Sequence, residues 1–135
     1  MRLVADNDVR GQVAILQQVL RSPEYEELAR AIDLDFVDFA CIGLAPDAPD
    51  QLVWETCQRE GVYLLTGNRS TKDETEALEV VLRTHATAFS LPVLTLADPQ
   101  RIAIDRDYAM HVAHKLLEIL WDIETLSGVR RIFLP

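Results

Sequence analysis

The sequence predicts an α/β protein, a three-layer α/β/α fold around a mainly parallel sheet of about four to five strands. Short apolar, β-branched runs alternate along the chain with longer stretches in which apolar residues recur at helical spacing. Such alternation is typical of parallel strands joined by crossover helices that cover both faces of a sheet. The 135 residues suffice for one domain with its own core, and no linker or internal repeat divides them. We therefore expect a single domain over residues 1–135.

The first half of the chain carries three strand patterns, with helical patterns between and after them. Asp8 is a candidate cap for the helix after the first strand. Ser22 and Pro23 mark the start of a second helix, because serine caps helices and proline is favoured at their first position. A third helix is expected to open at Asp50 and to end at Gly61. The predicted strands are residues 3–5, 36–42 and 62–65.

The second half is expected to add a fourth strand, two helices and an edge strand. A capping-box pattern at residues 71–74 opens the first of these helices. The second helix is expected to run from about 107 to 126, and it is apolar over more than one side. A helix of that kind must be covered on more than one side, either by the tail of residues 130–135 or by a partner subunit. Of these two we expect a homodimer contact. The two strands are expected at residues 92–97 and 131–134.

The charge balance limits the possible partners. Twenty-two acidic and thirteen basic residues give a formal net charge of −9, whereas nucleic-acid binders usually carry a basic surface. This composition speaks against a free-standing, tight RNA binder. It leaves room for an acidic nuclease that reaches RNA through a metal ion and a few arginines.

The apolar pattern and the cysteine usage predict a cytoplasmic protein without a membrane partner. No apolar run approaches the roughly 20 residues that a membrane-spanning helix needs. The first residues enter a strand pattern and lack the layout of a signal peptide. Cys41 and Cys57 both lie in apolar surroundings, so we expect two reduced core cysteines, with a disulfide between them as the alternative.

Four polar residues are expected to converge at one edge of the sheet, because open parallel sheets bind ligands beyond the carboxyl ends of their strands. They are Asp6, Asp50, Asn68 and Asp98. Oxygen ligands suit Mg²⁺ or Mn²⁺, and such an ion activates a water and neutralises charge on a phosphate. Each of the three aspartates also fits a simpler role as a turn residue or a helix cap.

Two stretches, about residues 2–12 and 48–70, resemble the short PIN-like domains of prokaryotes, which are relatives of toxin ribonucleases. In that family a helix opens with an acidic residue, as Asp50 does here, and the next strand runs into a turn of the type Thr-x-Asp-x-Asp. The corresponding turn here reads TGNRS, so Asn68 and Ser70 replace the two aspartates.

The resemblance implies a metal-dependent ribonuclease, such as the toxin of a toxin–antitoxin system. It implies Mg²⁺ or Mn²⁺ as cofactor, RNA as substrate and an antitoxin-like protein as partner, with a metal-activated water attacking the phosphodiester. The residues implied to be catalytic are Asp6, Asp50, Asn68 and Asp98, of which the three aspartates would ligate the metal. Arg69 and Lys72 are the candidates for contacting the RNA backbone.

The missing turn aspartates favour an alternative, a catalytically inactive PIN-like module that binds RNA or a protein partner. Asp73 or Glu74 is a candidate for restoring the lost charge, although both also fit the first turn of a helix. Asp38 falls inside the predicted second strand and receives no role. A phosphoacceptor receiver domain would share the parallel sheet, but no phosphorylatable aspartate ends the third strand, and we set that interpretation aside.

Overall fold

The fold is a parallel β-sheet between two layers of helices. The computed structural model describes residues 1–67, 72–126 and 128–135, and of residues 72–77 the backbone alone. Its strands are β1 (Arg2–Ala5), β2 (Asp35–Val37), β3 (Val62–Gly67), β4 (Val93–Leu96) and β5 (Arg131–Leu134). Across the sheet they follow the order β2-β1-β3-β4-β5, and every neighbouring pair is parallel. The predicted α/β/α class is confirmed, with five strands in the described part of the chain.

Six α-helices lie in the same described residues. They are α1 (Arg10–Leu20), α2 (Pro23–Ala31), α3 (Asp50–Glu60), α4 (Lys72–His85), α5 (Pro99–Ile104) and α6 (Arg106–Trp121). The predicted starts of α2 and α3 are confirmed, as is the end of α3 at Gly61, whose φ of 67° suits glycine. None of these helices is both long and apolar enough to cross a bilayer.

Neighbouring strand residues point to opposite faces of the sheet, and this builds two apolar cores. Leu3 packs in one core with residues of α1, α2, α5 and α6. Val4, the next residue, packs in the other core with residues of α3 and α4. Because helices cover both faces, the strands read as continuous apolar runs in the sequence.

The second strand is shorter than the sequence predicts. A strand is expected over residues 36–42, whereas β2 ends at Val37 and Ala40–Ile42 forms a 3₁₀ turn. The Asp38 carboxylate accepts a hydrogen bond from the backbone N–H of Cys41 at 3.0 Å, which gives that N–H a local partner in place of a neighbouring strand. Asp38 therefore lies just beyond the carboxyl end of β2.

The C-terminal helix is also divided differently from the prediction. The sequence predicts one helix over about 107–126, whereas α6 ends at Trp121 and a 3₁₀ turn, Ile123–Leu126, follows it. The short α5 before it is not predicted. Asp98 and Asp105 cap α5 and α6 by accepting hydrogen bonds from backbone N–H groups, which fixes where each helix begins.

The two cysteines differ in exposure, and both are free thiols. Cys57 is buried in α3 as predicted, but Cys41 is exposed, so its predicted core position is wrong. The reason is that Cys41 lies in the 3₁₀ turn after β2 and not within a strand. Burial raises the pKa of the Cys57 thiol to about 12, and the negative charge of Asp6 adds to the rise.

We expect only Cys41 to react with a thiol reagent in the folded protein at about pH 8. The Cys57 residue is 1% exposed, and with a pKa of about 12 its thiol stays protonated at that pH. Dithiobis(nitrobenzoate) should therefore titrate a single thiol in the native protein and both thiols in denaturant. In the variant Cys41→Ser the native protein should give no rapid signal, and a fast-reacting thiol there would contradict the burial of Cys57.

Candidate functional site

The sheet reverses its winding direction at β1, where ligands of open parallel sheets bind. The strand that follows β1 in the chain lies on one side of it, and β3 lies on the other. Asp6 directly follows β1, and its backbone N–H donates to the carbonyl of Leu65 at 2.9 Å. Since Ala5 pairs with Leu65 in the ladder, Asp6 stands beside Thr66 of β3.

Among the residues that the structure describes, Asn7 and Thr66 orient the Asp6 carboxylate. The backbone N–H of Asn7 donates to its Oδ1 at 2.8 Å, and the Thr66 hydroxyl donates to its Oδ2 at 3.5 Å. Thr66 is fully buried within β3, although the sequence indicates a turn there, and Asp6 is 8% exposed. The carboxylate is therefore held in place at the carboxyl edge of the sheet.

Asp8 reaches the same edge, at the residue that ends β3. A methyl group built on Gly67 would lie 3.2 Å from Asp8 Oδ2 and 2.7 Å from Val9 Cγ1. The sequence predicts Asp8 as a helix cap, and this is wrong: Asp8 lies inside a 3₁₀ turn, Asn7–Val9, and Val9 precedes α1 without a side-chain cap. Only a glycine lets the turn with Asp8 come so close to β3.

Asp98 follows β4 close to this edge. Its side chain accepts a hydrogen bond from the backbone N–H of Arg101 at 3.4 Å and so caps α5. The next residue, Pro99, has its Cγ 3.2 Å from the position of a Gly67 methyl. The structure thus shows the capping role of Asp98, and its metal-ligating role stays a prediction.

Asp50 is the first residue of α3, and Pro49 occupies the cap position. Its carboxylate lies at the positive end of the helix dipole, which stabilises a negative charge. Two turns further along α3, Cys57 is within electrostatic reach of Asp6, so α3 runs beside the Asp6 site. The ligand role of Asp50 stays a prediction.

The remaining predicted site residues lie outside the part of the chain that the structure describes. Asn68, Arg69 and Ser70 fall between β3 and α4, within residues 68–71. Lys72 begins α4, but its side chain lies outside the description, as do those of Asp73 and Glu74. Their roles in catalysis and RNA contact stay predictions.

The donor chemistry at the edge fits a hard divalent cation. Asp6, Asp8 and Thr66 offer carboxylate and hydroxyl oxygens, the ligands that Mg²⁺ and Mn²⁺ prefer. Among the side chains that the structure describes, those of residues 1–67, 78–126 and 128–135, however, no three His, Cys, Asp or Glu residues gather into a metal-binding group. Mg²⁺ commonly keeps several waters and uses one or two carboxylates together with substrate phosphates. An ion held in that way would need only one or two of the carboxylates at this edge.

Comparison with known proteins identifies no relative, so the function of the site is argued from its chemistry alone. No protein-family model, curated protein or solved structure matches this chain. The doubly wound strand order indicates where a ligand would bind, but a fold of this kind serves many unrelated functions. The receiver interpretation stays set aside, because β3 ends with Thr66 and Gly67, neither of which is a phosphoacceptor aspartate.

Proposed function

We propose that this protein is a metal-dependent endoribonuclease of PIN-like type, of the kind that serves as toxin in toxin–antitoxin systems. The observation that carries the proposal is the approach of two carboxylates to the last two residues of β3. Asp6 accepts a hydrogen bond from the Thr66 hydroxyl, and the Asp8 carboxylate lies close to the Cα of Gly67. Both pairs lie where β1 and β3 diverge, which is the binding position of doubly wound sheets.

In this proposal Asp6 and Asp8 hold the divalent ion and Thr66 keeps Asp6 in position. When bound there, Mg²⁺ or Mn²⁺ would lower the pKa of a water and neutralise charge on the phosphate. The near-complete burial of Asp6 keeps competing water away from one side of the carboxylate. Asp50 and Asp98 are proposed as further ligands, and Asn68 as a neutral oxygen ligand from the end of β3.

A second candidate function is a PIN-like module that binds RNA or protein without cutting. Two observations favour it. The described residues hold no group of three potential ligand side chains, and the chain carries a formal net charge of −9. A weaker metal site and a surface that repels phosphate would both reduce catalysis.

Calorimetric titration of Mn²⁺ into the wild type and into Asp6→Asn tests the metal site. We expect saturable binding by the wild type and at least roughly tenfold weaker binding by the variant, because asparagine keeps the shape of Asp6 but not its charge. Asp122→Asn, at an exposed aspartate after α6, is the matched control and should bind Mn²⁺ like the wild type. Thermal unfolding of all three proteins checks that the fold is intact.

Incubation with fluorescently labelled single-stranded RNA then separates the two candidate functions. A nuclease should cut the RNA with Mn²⁺ and not with EDTA, and Asp6→Asn should not cut it. Saturable Mn²⁺ binding without cleavage would favour the non-cutting module. No Mn²⁺ binding by the wild type would overturn the nuclease proposal.

We also propose a homodimer through the C-terminal helix, with an antitoxin-like protein as an alternative occupant of the same surface. Trp121 at the end of α6 is 57% exposed, and Leu28 of α2, which lines the same surface depression, is 46% exposed. Exposed apolar side chains that cluster in this way are typical of protein contacts. The two free thiols of Cys41 and Cys57 support the cytoplasm as the place of action.

A further inference from the structure

A cleft lies beside the Asp6 site, between α1 and the segment that follows β2. Its volume is about 510 Å³, within the range of small-molecule sites. Ala5 and Asn7 line it, and these are the two chain neighbours of Asp6. The cleft is therefore continuous with the carboxyl edge at which Asp6 lies.

The walls of the cleft suit a partly apolar ligand with an aromatic ring. Phe36 and Phe39 line the side that β2 and the following turn provide, and Val13 and Ala14 of α1 line the other side. Phe39 and Val13 are buried, so these walls are held in place by the cores beneath them. Aromatic and apolar walls of this kind accept unpaired nucleobases, since every base has a face that can stack.

Polar groups stand among these apolar walls. Gln17 contributes a side-chain amide, and Asp35 and Asp38 each contribute a carboxylate. The pKa of the Asp38 carboxyl is held below its usual range by the hydrogen bonds from Cys41, and further by the charge of Arg10. Asp38 is thus an acceptor at neutral pH, and together with the amide it can bond the edge of a base.

Arg10, the first residue of α1, also lines the cleft. Its guanidinium has no hydrogen bond or ion pair shorter than 4 Å with another residue in the part of the chain that the structure describes. In a protein with a formal net charge of −9, this cation lies in the cleft within electrostatic reach of Asp38, and it can attract a phosphate there.

We propose that this cleft is a nucleobase subsite for single-stranded RNA. It would hold the unpaired base next to the phosphodiester that reaches Asp6 and Asp8, and the placement of that phosphodiester rests on the proposed function. The subsite would select single strands, because a base inside a duplex is stacked and paired and cannot enter the cleft.

The test is fluorescence anisotropy with a fluorescein-labelled RNA octamer, as a single strand and as a duplex, in EDTA so that no metal-dependent step contributes. Ala14→Leu fills the cleft from an exposed helix position that accepts leucine. Its matched control, Ala31→Leu, makes the same change at an exposed position at the end of α2. Arg10→Gln is paired with Arg59→Gln, which removes the same charge at an exposed position of α3.

We expect the wild type to bind the single strand more tightly than the duplex. Ala14→Leu should weaken single-strand binding roughly tenfold, the scale of losing one stacked base, and Ala31→Leu should leave it unchanged. Arg10→Gln should weaken binding several-fold more than Arg59→Gln does. Equal affinities within each matched pair would overturn the subsite, and so would a wild type that binds no RNA.

Titration of the same variants with Mn²⁺ distinguishes failure of the subsite from failure of the nuclease proposal. The cleft variants should keep the Mn²⁺ affinity of the wild type. If cleft-dependent RNA binding persists in a protein that binds no Mn²⁺, the subsite stands and the nuclease proposal falls. If the wild type binds Mn²⁺ and cuts RNA but the cleft variants do so equally well, the subsite falls alone.

Discussion

Replacing Gly67 by alanine is expected to lower the free energy of unfolding by about 2 kcal/mol, the scale of overpacking in a tight interior. The added methyl would lie 2.7 Å from Val9 Cγ1, closer than real carbon contacts allow. Val9 is 1% exposed and has little room to retreat, so the 3₁₀ turn that carries Asp8 must move. We therefore expect weaker Mn²⁺ binding from the same variant, if Asp8 ligates the ion as proposed.

Gly11→Ala is the matched control for this substitution. Gly11 lies in α1 without a positive φ, and a methyl group there meets no atom within 4 Å. Alanine should leave stability unchanged or raise it by up to about 1 kcal/mol, because it favours the helix more than glycine does. Urea unfolding of both variants measures the difference. Equal stabilities of Gly67→Ala and the wild type would show that the approach of the turn to β3 is looser than described.

Replacing Leu94 by alanine is expected to lower the free energy of unfolding by about 3 kcal/mol, a typical cost for a buried leucine. Leu94 is fully buried in β4, where it pairs with Leu65 on one side and Ile132 on the other. Its side chain packs in the core that α1 and α6 cover. Truncation leaves a cavity that paired strands on both sides cannot close.

Leu52→Ala makes the same chemical change at a position of α3 where the leucine is 45% exposed. We expect a loss within about 0.5 kcal/mol there, since a half-exposed side chain gives up little buried surface and alanine favours helix. Urea unfolding monitored by circular dichroism compares the two variants. Similar losses at both positions would contradict the assignment of Leu94 to the core.

Local sequence signals predicted the helix ends that depend on one or two neighbouring residues. Proline at the first helical position marks the start of α2, and Gly61 in the left-handed conformation ends α3. Both depend on the backbone preferences of one or two residues, so no distant contact had to be known. The strand β5 was predicted in the same way, from a short apolar run after a turn.

The errors have two origins, a local side-chain hydrogen bond that competes with a strand and the way an element packs against its partners. The run after Val37 is rich in strand-forming residues, yet the Asp38 side chain offers the Cys41 N–H a local hydrogen bond and the strand ends. Cys41 is apolar by type, but the position of its turn leaves it exposed. Residue type alone does not reveal which face a partner covers.

The candidate site likewise combines one feature that the sequence predicted with another that it did not. The rule for parallel sheets placed Asp6 at the carboxyl edge, and β1 does end at Ala5. The approach of Asp8 to Gly67 was not predicted, because it depends on how the turn after β1 packs against β3. The one available signal was the glycine at the end of a buried strand, since glycine there often marks a close approach of two backbones.

By itself, the sequence determined the α/β class, most of the helix starts and the acidic residues available for a cation, because these follow from short-range patterns of apolar, capping and turn residues. Only the tertiary structure decided the strand order, the pairing of Asp6 with Thr66, the approach of Asp8 to Gly67 and the cleft beside them. These features depend on strand register and on backbone contacts between segments about sixty residues apart. Contacts over such separations are set by the packing of the whole chain, which no local pattern encodes.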